Sequence, residues 1–518
     1  MSGSLEGKRG AGKQVLKNMI SNFIYFFSNL IIGIFLVPFY IKSLGIENYA
    51  LIPLITSIIL YVTFITQSLN SSVLRFLTLD MQRNDFRKAN KTFNTSFFGL
   101  LGVIALLTPF TIALIYYFPF FFEVPSDQIY EVTILLIGIL ITFFIKTLGS
   151  VFGVSLFAYN RLDLQKYIDL FNLLCRVGLT VVFFKLLHPN LIFVSLAYVI
   201  GSLIYLIGTV YFSKRISPFF SVDLKDFEYT QFKDITKMST WLLVVELGTL
   251  LFTQAELILV NILFGTVAGG EYAIVLIWSS MTMNMSGIFA GVFAPVIYAH
   301  YAKGQFARVV STVSLVIKMI GISMAPIIGC IFVFAPQLLS IWLGPEYARL
   351  TLLMRIIIIH LILNLSTQPL SAVNAAYNKA KIPGVVTLFL GILNILLAMY
   401  LSIYTSLGYY GIAISGAIFL TIKNSLFVPW YACKLMGITL KTLAKPMLQG
   451  PVLIIPVLIV ASMLNHYFVL STFIHIILVC VIISILYMIG IWYYALTVSE
   501  KGMINSVLSS RLHKSKVL

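Results

Sequence analysis

Residues 132–161 read VTILLIGILITFFIKTLGSVFGVSLFAYNR, and up to Arg161 they carry a single charge, Lys146. About twenty apolar residues suffice for a helix to cross a hydrocarbon core of about 30 Å, so this stretch is a membrane span, with 129–157 as its expected bounds. It leaves the apolar phase through Ala-Tyr-Asn-basic. The same ending, AYNK at 376–379, closes a second apolar run 218 residues later. The rest of the chain fits this reading. It has 518 residues, 59% hydrophobic and only 10% charged, against about 25% charged in a soluble protein. The fold class is therefore all-α and polytopic.

Reading apolar runs against their polar breaks gives fourteen transmembrane helices between residues 17 and 497. The connections at 188–190 and 407–410 are short enough to make their flanking helices antiparallel neighbours. Lys and Arg set the orientation. Of 35, 27 fall on the side that holds Lys8, Arg9, Lys13 and Lys17, three on the opposite side (Lys42, Lys185, Arg349) and five inside spans. That side is cytoplasmic and takes both termini, in a cell (plasma or inner) membrane. The net charge of +17 is then topology. Basic loops face anionic lipid headgroups, and no nucleic acid is implied.

The repeat extends beyond AYN-basic. LGIENYA (44–50) resembles TVAGGEYA (266–273), and FFEVPSD (121–127) parallels IWLGPEY (341–347). Two six-span units of equal orientation follow, related by an axis along the membrane normal. The expected organisation is a tail over 1–16, an N-lobe over 17–213, a linker over 214–235, a C-lobe over 236–432, two added spans within 446–497 and a tail over 498–518.

Catalytic and metal chemistry find little support. Cys175, Cys330, Cys433 and Cys480 lie in or beside spans without ligand spacing, and the six histidines are scattered. GKRGAGKQ (7–14) has the glycine and lysine spacing of a phosphate loop but Gln14 where magnesium needs a hydroxyl, and no strand precedes it. No enzyme activity, metal or cofactor is expected.

Polar residues inside spans mark the candidate sites, because each is costly in lipid unless satisfied. Asn18, Asn22, Tyr25, Asn29 and Gly33 share one helical face of the first span; Thr63, Gln67 and Asn70 share one in the second. In the seventh span, 236–264, Glu246, Thr249, Thr253 and Glu256 do the same. Such faces either hydrogen-bond neighbouring helices or look into a wetted cavity, and as paired stripes they favour the cavity. Intramembrane cations are Lys146, Arg176, Lys318, Arg355 and Lys423; the anions are Asp169, Glu246 and Glu256. The positive surplus suits an anionic substrate. Lys146 is expected to line the cavity wall, with Glu246 or Glu256 as an alternative structural partner. Asp169 and Arg176, seven residues apart, are expected on one helical face. A membrane-buried carboxylate can shed the cost of its charge by binding a proton or a cation, so Glu246 and Glu256, with Thr249 and Thr253 between them, are candidates for H+ or Na+ coupling.

With these residues in place the chain resembles prokaryotic polysaccharide flippases, the O-antigen- and teichoic-type exporters of the multidrug/oligosaccharidyl-lipid/polysaccharide exporter superfamily. The likeness rests on YA after a Gly- or Glu-rich turn, Leu74-Arg75 ending the second span, IWLGPEYA (341–348) and AYNK, and it covers roughly 13–497. It implies two six-helix lobes around a cavity that opens alternately to each side. The implied cargo is a polyprenyl-pyrophosphate-linked oligosaccharide, moved to the outer leaflet, with glycosyltransferases or a polymerase as functional associates. The resemblance also places an acidic residue near the outer end of the seventh span, where Glu256 stands. This chain departs from the family in the sparse charge of its first two spans, which leaves Arg75 to meet a lipid pyrophosphate, with Arg161 near the same cytoplasmic mouth. The alternatives are an ion-coupled small-molecule antiporter of the same superfamily and a membrane glycosyltransferase or polymerase.

Overall fold

The computed structural model describes residues 3–497 and Lys501, apart from 83, 84, 123, 125, 378, 380 and 469. Of residues 3–13, 15, 16, 75, 79, 82, 238, 241, 242 and 495 it describes only the backbone. The described residues form helices and turns, with no strand among them. In chain order the helices are α1 (Gly3–Gln82), α2 (Phe86–Phe121), α3 (Ile129–Ala158), α4 (Leu162–Leu186), α5 (Leu191–Ile216), α6 (Tyr229–Thr253), α7 (Ala255–Ala302) and α8 (Phe306–Val333). Four short helices follow: α9 (Ala335–Leu343), α10 (Thr351–Ile359), α11 (Leu361–Asn364) and α12 (Leu370–Ala376). Then come α13 (Lys381–Tyr404), α14 (Tyr410–Thr421), α15 (Val428–Met436), α16 (Leu440–Tyr467) and α17 (Phe473–Gly490).

Eleven of these helical stretches are long and apolar enough to cross a membrane, where the sequence predicts fourteen spans. The difference sits at three places. The 80-residue α1 and the 48-residue α7 each turn sharply within, at Gly45 and Gly265. The apolar stretch 351–376 is broken into α10, α11 and α12, none of them long enough alone.

The two internal turns have one cause. Gly45 (φ 80°, ψ 164°) and Gly265 (φ 80°, ψ 177°) occupy a backbone region that L-residues avoid because Cβ meets their own chain. Gly45 is the second residue of the repeat segment LGIENYA (44–50), and Gly265 immediately precedes TVAGGEYA (266–273). The segments also meet in space, since Gly270 lies against Ile46, and both bury their tyrosine: Tyr49 is 4% exposed and Tyr272 0%.

Local chemistry sets the other ends. Asn190 caps α5 by accepting from the Ile192 amide at 2.8 Å, and Asp85 caps α2 by accepting from the Lys88 amide at 3.0 Å. Between α3 and α4 the AYN turn places Asn160 at φ 57°, a left-handed position that asparagine tolerates better than most side chains. Asn18 of α1 reads this turn, donating to the Asn160 carbonyl (3.0 Å) and side-chain oxygen (2.9 Å) while accepting from the Asp163 amide (3.0 Å). Asn378, the asparagine of the second copy, lies outside the described residues.

The chain forms two compact units. One comprises Met1–Ile277 with Lys379–Phe419, the other Trp278–Asn378 with Leu420–Leu518. In the first, α3 packs along α5, α4 along α5 and α1, and α6 along α13 and α1. In the second, α16 runs against α8, and α10, α11 and α17 also touch α8. Apolar residues also cover much of the exposed surface, as a lipid-facing bundle requires. α17 buries only Ile476 and Ile483, and Phe110, Tyr116 and Phe120 of α2 stand exposed.

Candidate functional site

A cavity of about 350 Å3 opens within the first unit, walled by α1, α3, α4 and α5. Helical spacing explains its wall. Thr63, Gln67 and Asn70 recur on one face of α1 beyond the Gly45 turn, and Thr142, Lys146 and Ser150 recur every four residues on α3. Asp169 and Arg176 of α4 and Tyr198 and Tyr205 of α5 complete it.

The charges in this wall do not cancel. Among the described residues no carboxylate lies within 4.0 Å of the Lys146 ammonium, which sits 5.9 Å from the centre of the Tyr205 ring. The Arg176 guanidinium lies 4.4 Å from the centre of the Tyr198 ring. Asp169 faces Lys166 at 3.4 Å and accepts from Gln165. Asp169 and Arg176 therefore both line the cavity, but each has its own partner instead of the other. Two polar atoms in the same wall are buried without hydrogen-bond partners: the side-chain oxygen of Asn70, whose amide donates to Ser150 at 2.7 Å, and the Thr142 hydroxyl. An anionic group that also carries hydroxyls would match two cations and two unfilled hydrogen-bonding positions.

The cavity brings together Gln67, Asn70 and Lys146 from the predicted residues, and it adds Thr142, Asp169 and Arg176. Asn22, Tyr25 and Asn29 are not in its wall. Asn22 and Asn29 are exposed, and the half-buried Tyr25 ring lies 4.8 Å beneath Lys166. Asn18 belongs to the α3–α4 turn. Arg161 is held by Asp163 at 3.1 Å, which in turn accepts from Gln14 at 2.8 Å. The side chain of Arg75 lies outside the described residues.

The predicted coupling residues divide in two. The helix is interrupted at Gln254, so Glu246, Thr249 and Thr253 end α6 while Glu256 begins α7. Both threonine hydroxyls donate to carbonyls of their own helix, Thr249 to Val245 and Thr253 to Thr249, and Glu246 is half-buried. Glu256 is 8% exposed and accepts a hydrogen bond of 2.7 Å from the Tyr272 hydroxyl. The Gly265 turn makes this possible by folding the second arm of α7 back past the first. On its other side the carboxylate rests on Gly416, where a β-carbon would overlap it. Ser415, next along α14, places its hydroxyl 2.8 Å from both the carbonyl and the side-chain oxygen of Asn394 in α13. Glu256 thus sits between Tyr272 and Gly416. Among the described residues no ion pair joins Lys146 to Glu246 or Glu256, the structural alternative to its place in the cavity wall.

These arrangements can be compared with known proteins. No family model matches the chain. Over 421 residues it is 29% identical to EpsK, an uncharacterized membrane protein of Bacillus subtilis (strain 168), covering 81% of this chain and 83% of that protein. Among solved structures it resembles the inward-facing conformation of a multidrug resistance MATE family transporter of the MOP superfamily. That match has a TM-score of 0.65 at 15% identity and covers 81% of this chain and 99% of the other. It also resembles the inward closed conformation of the lipid II flippase MurJ, with a TM-score of 0.64 at 14% identity over 92% of this chain and 98% of MurJ. The chain shares the fold of these two structures. At such identities the likeness establishes the fold, and the cargo has to be argued from the site.

Proposed function

We propose that this protein is a flippase that carries a polyprenyl-pyrophosphate-linked oligosaccharide from the cytoplasmic to the outer leaflet by alternating access of its two halves. The observation that carries the reading is the net-positive wall of the cavity beside α3, with Lys146 and Arg176 against one already engaged carboxylate. Its volume equals about a dozen waters at ~30 Å3 each, room for a phosphate-bearing head and not for a whole glycan. In this reading the pyrophosphate and first sugar occupy it while the lipid tail stays in the bilayer. A glycan cannot cross hydrocarbon unaided, since each hydroxyl stripped of water costs several kcal/mol. Moving it breaks no covalent bond, so the protein needs positioned cations and a wetted path, not a catalytic group. Both termini are cytoplasmic in this scheme, and the membrane is the cell membrane.

Energy enters, in the same reading, through Glu256. A carboxylate sealed between Tyr272 and Gly416 binds H+ or Na+, and its charged and neutralised forms favour different arrangements of the helices around it. A small-molecule antiporter would use the same pocket, so the cargo assay distinguishes the two.

The test is translocation in proteoliposomes loaded with lipid-linked oligosaccharide, read as loss of headgroup accessibility to a lectin on one face. The wild-type protein should move the headgroup. Lys146→Met should slow transport at sub-saturating cargo by at least tenfold, the worth of a charge-assisted hydrogen bond of about 1.5–3 kcal/mol, and Lys146→Arg should keep most of the rate. An unchanged rate in Lys146→Met rejects the site. Export of small ions or drugs without headgroup movement rejects the cargo.

A further inference from the structure

Lys441, Lys445 and Gln449 follow one another at four-residue intervals along α16, on one helical face. The same face continues into Val452, Leu453 and Pro456 without another polar group. Two grooves of the second unit share this stripe. The larger, about 1300 Å3, lies along α8 and α16 and is lined by Lys318, Lys441, Lys445 and several Ser and Thr hydroxyls, with no carboxylate among the described residues. The smaller, about 310 Å3, lies between α16 and α17 and is lined by aliphatic residues, Tyr487 and Tyr494. They meet at Leu453 and Tyr494, whose ring is 93% exposed and so has almost no protein packed against it.

We propose that these joined grooves hold one acidic glycerophospholipid of the leaflet next to the basic end of α16, its phosphate on Lys441 and Lys445 and its acyl chain along the Leu453–Val460 face. Three observations fit this occupant. The first is charge complementarity: the wall offers the exposed ammonium groups of Lys441 and Lys445 and hydroxyl donors, with no acid among the described residues that line it. The second is length. Fifteen residues separate Lys445 from Val460, about 22 Å along a helix, which matches one leaflet with its headgroup layer, half of about 40–45 Å. The third is the polarity switch at Gln449–Val452, with Tyr494 beside it, as the boundary between headgroup and hydrocarbon requires. A zwitterionic lipid has the same tail but brings its own cation to the lysines. A free phosphate lacks the tail. The site is separate from the cavity beside α3 and does not depend on the proposed transport function.

The experiment uses the purified full-length protein in mild detergent, with bound lipid counted by native mass spectrometry and thermal stability followed in parallel. Phosphatidylglycerol should remain bound and raise the melting temperature. Phosphatidylcholine of the same chains should bind at least tenfold more weakly, and inorganic phosphate should neither bind nor protect. Lys441 and Lys445 are exposed, so Lys441→Gln with Lys445→Gln should leave the fold intact and weaken phosphatidylglycerol at least tenfold. Leu453→Trp, which fills the junction and keeps every charge, should do the same. Equal binding of the two phospholipids, or full retention in the double lysine variant, overturns the proposal. So does binding of a polyprenyl phosphate with none of phosphatidylglycerol.

Discussion

Alanine at Gly45 or Gly265 should destabilise the protein through the backbone alone. At φ 80° with ψ of 164° and 177° an L-residue is held in a region occupied essentially by glycine, at about 1–3 kcal/mol. The surroundings add nothing, since a β-carbon at either position meets no atom within 4 Å. Gly102 of α2 and Gly178 of α4 are internal controls: both are exposed, both are helical and both have the same open space around a β-carbon. Alanine there should stabilise by about 0.5–1 kcal/mol, because glycine loses more freedom on entering a helix. The two classes should therefore differ by about 1.5–4 kcal/mol, roughly ten-fold to several hundred-fold in the unfolding equilibrium. Equilibrium unfolding in micelles, with the four single variants side by side, measures this. Because Ile46 packs on Gly270, the double variant at Gly45 and Gly265 is expected to depart from additivity. If Gly45→Ala and Gly265→Ala are as stable as Gly102→Ala, then the turns are not imposed by glycine and the account of the kinks fails.

Three further outcomes follow from the packing. Gly416→Ala should push the Glu256 carboxylate off Tyr272; overpacking of about 1–3 kcal/mol adds to the lost hydrogen bond, and Tyr272→Phe made in that background should then cost almost nothing more. Glu256→Gln keeps an acceptor for Tyr272, so the protein should melt within a few degrees of wild type while its transport no longer responds to an imposed proton or sodium gradient; a response that persists removes Glu256 from coupling. Asn18→Ala removes three hydrogen bonds to the AYN turn and leaves the Asp163 amide unpaired. A loss of about 1–3 kcal/mol with faster amide exchange confined to the first turn of α4 is expected, and uniform exchange across the chain would contradict the latch.

Membrane residence and helical class could be read from the sequence because they depend on composition measured against a bilayer. A stretch such as 132–157, with one charge, has no other stable solution in lipid. The paired Gly…Tyr segments were visible as short local patterns, and each stands at a glycine turn of the same backbone geometry, Gly45 and Gly265. Part of the cavity was legible too, since a four-residue spacing fixes which side chains of one helix share a face, as it does for Gln67 and Lys146 with their neighbours. Other features required the tertiary structure. Glu246 and Glu256 share a face only if their helix is continuous, and the break at Gln254 removes that condition. Tyr272 reaches Glu256 because Gly265 turns the chain between them, and Gly416 arrives from a helix more than a hundred residues away. Periodicity orders side chains around one helix axis; which neighbour each one meets depends on kinks and on how helices cross, and those are settled only when the whole bundle packs.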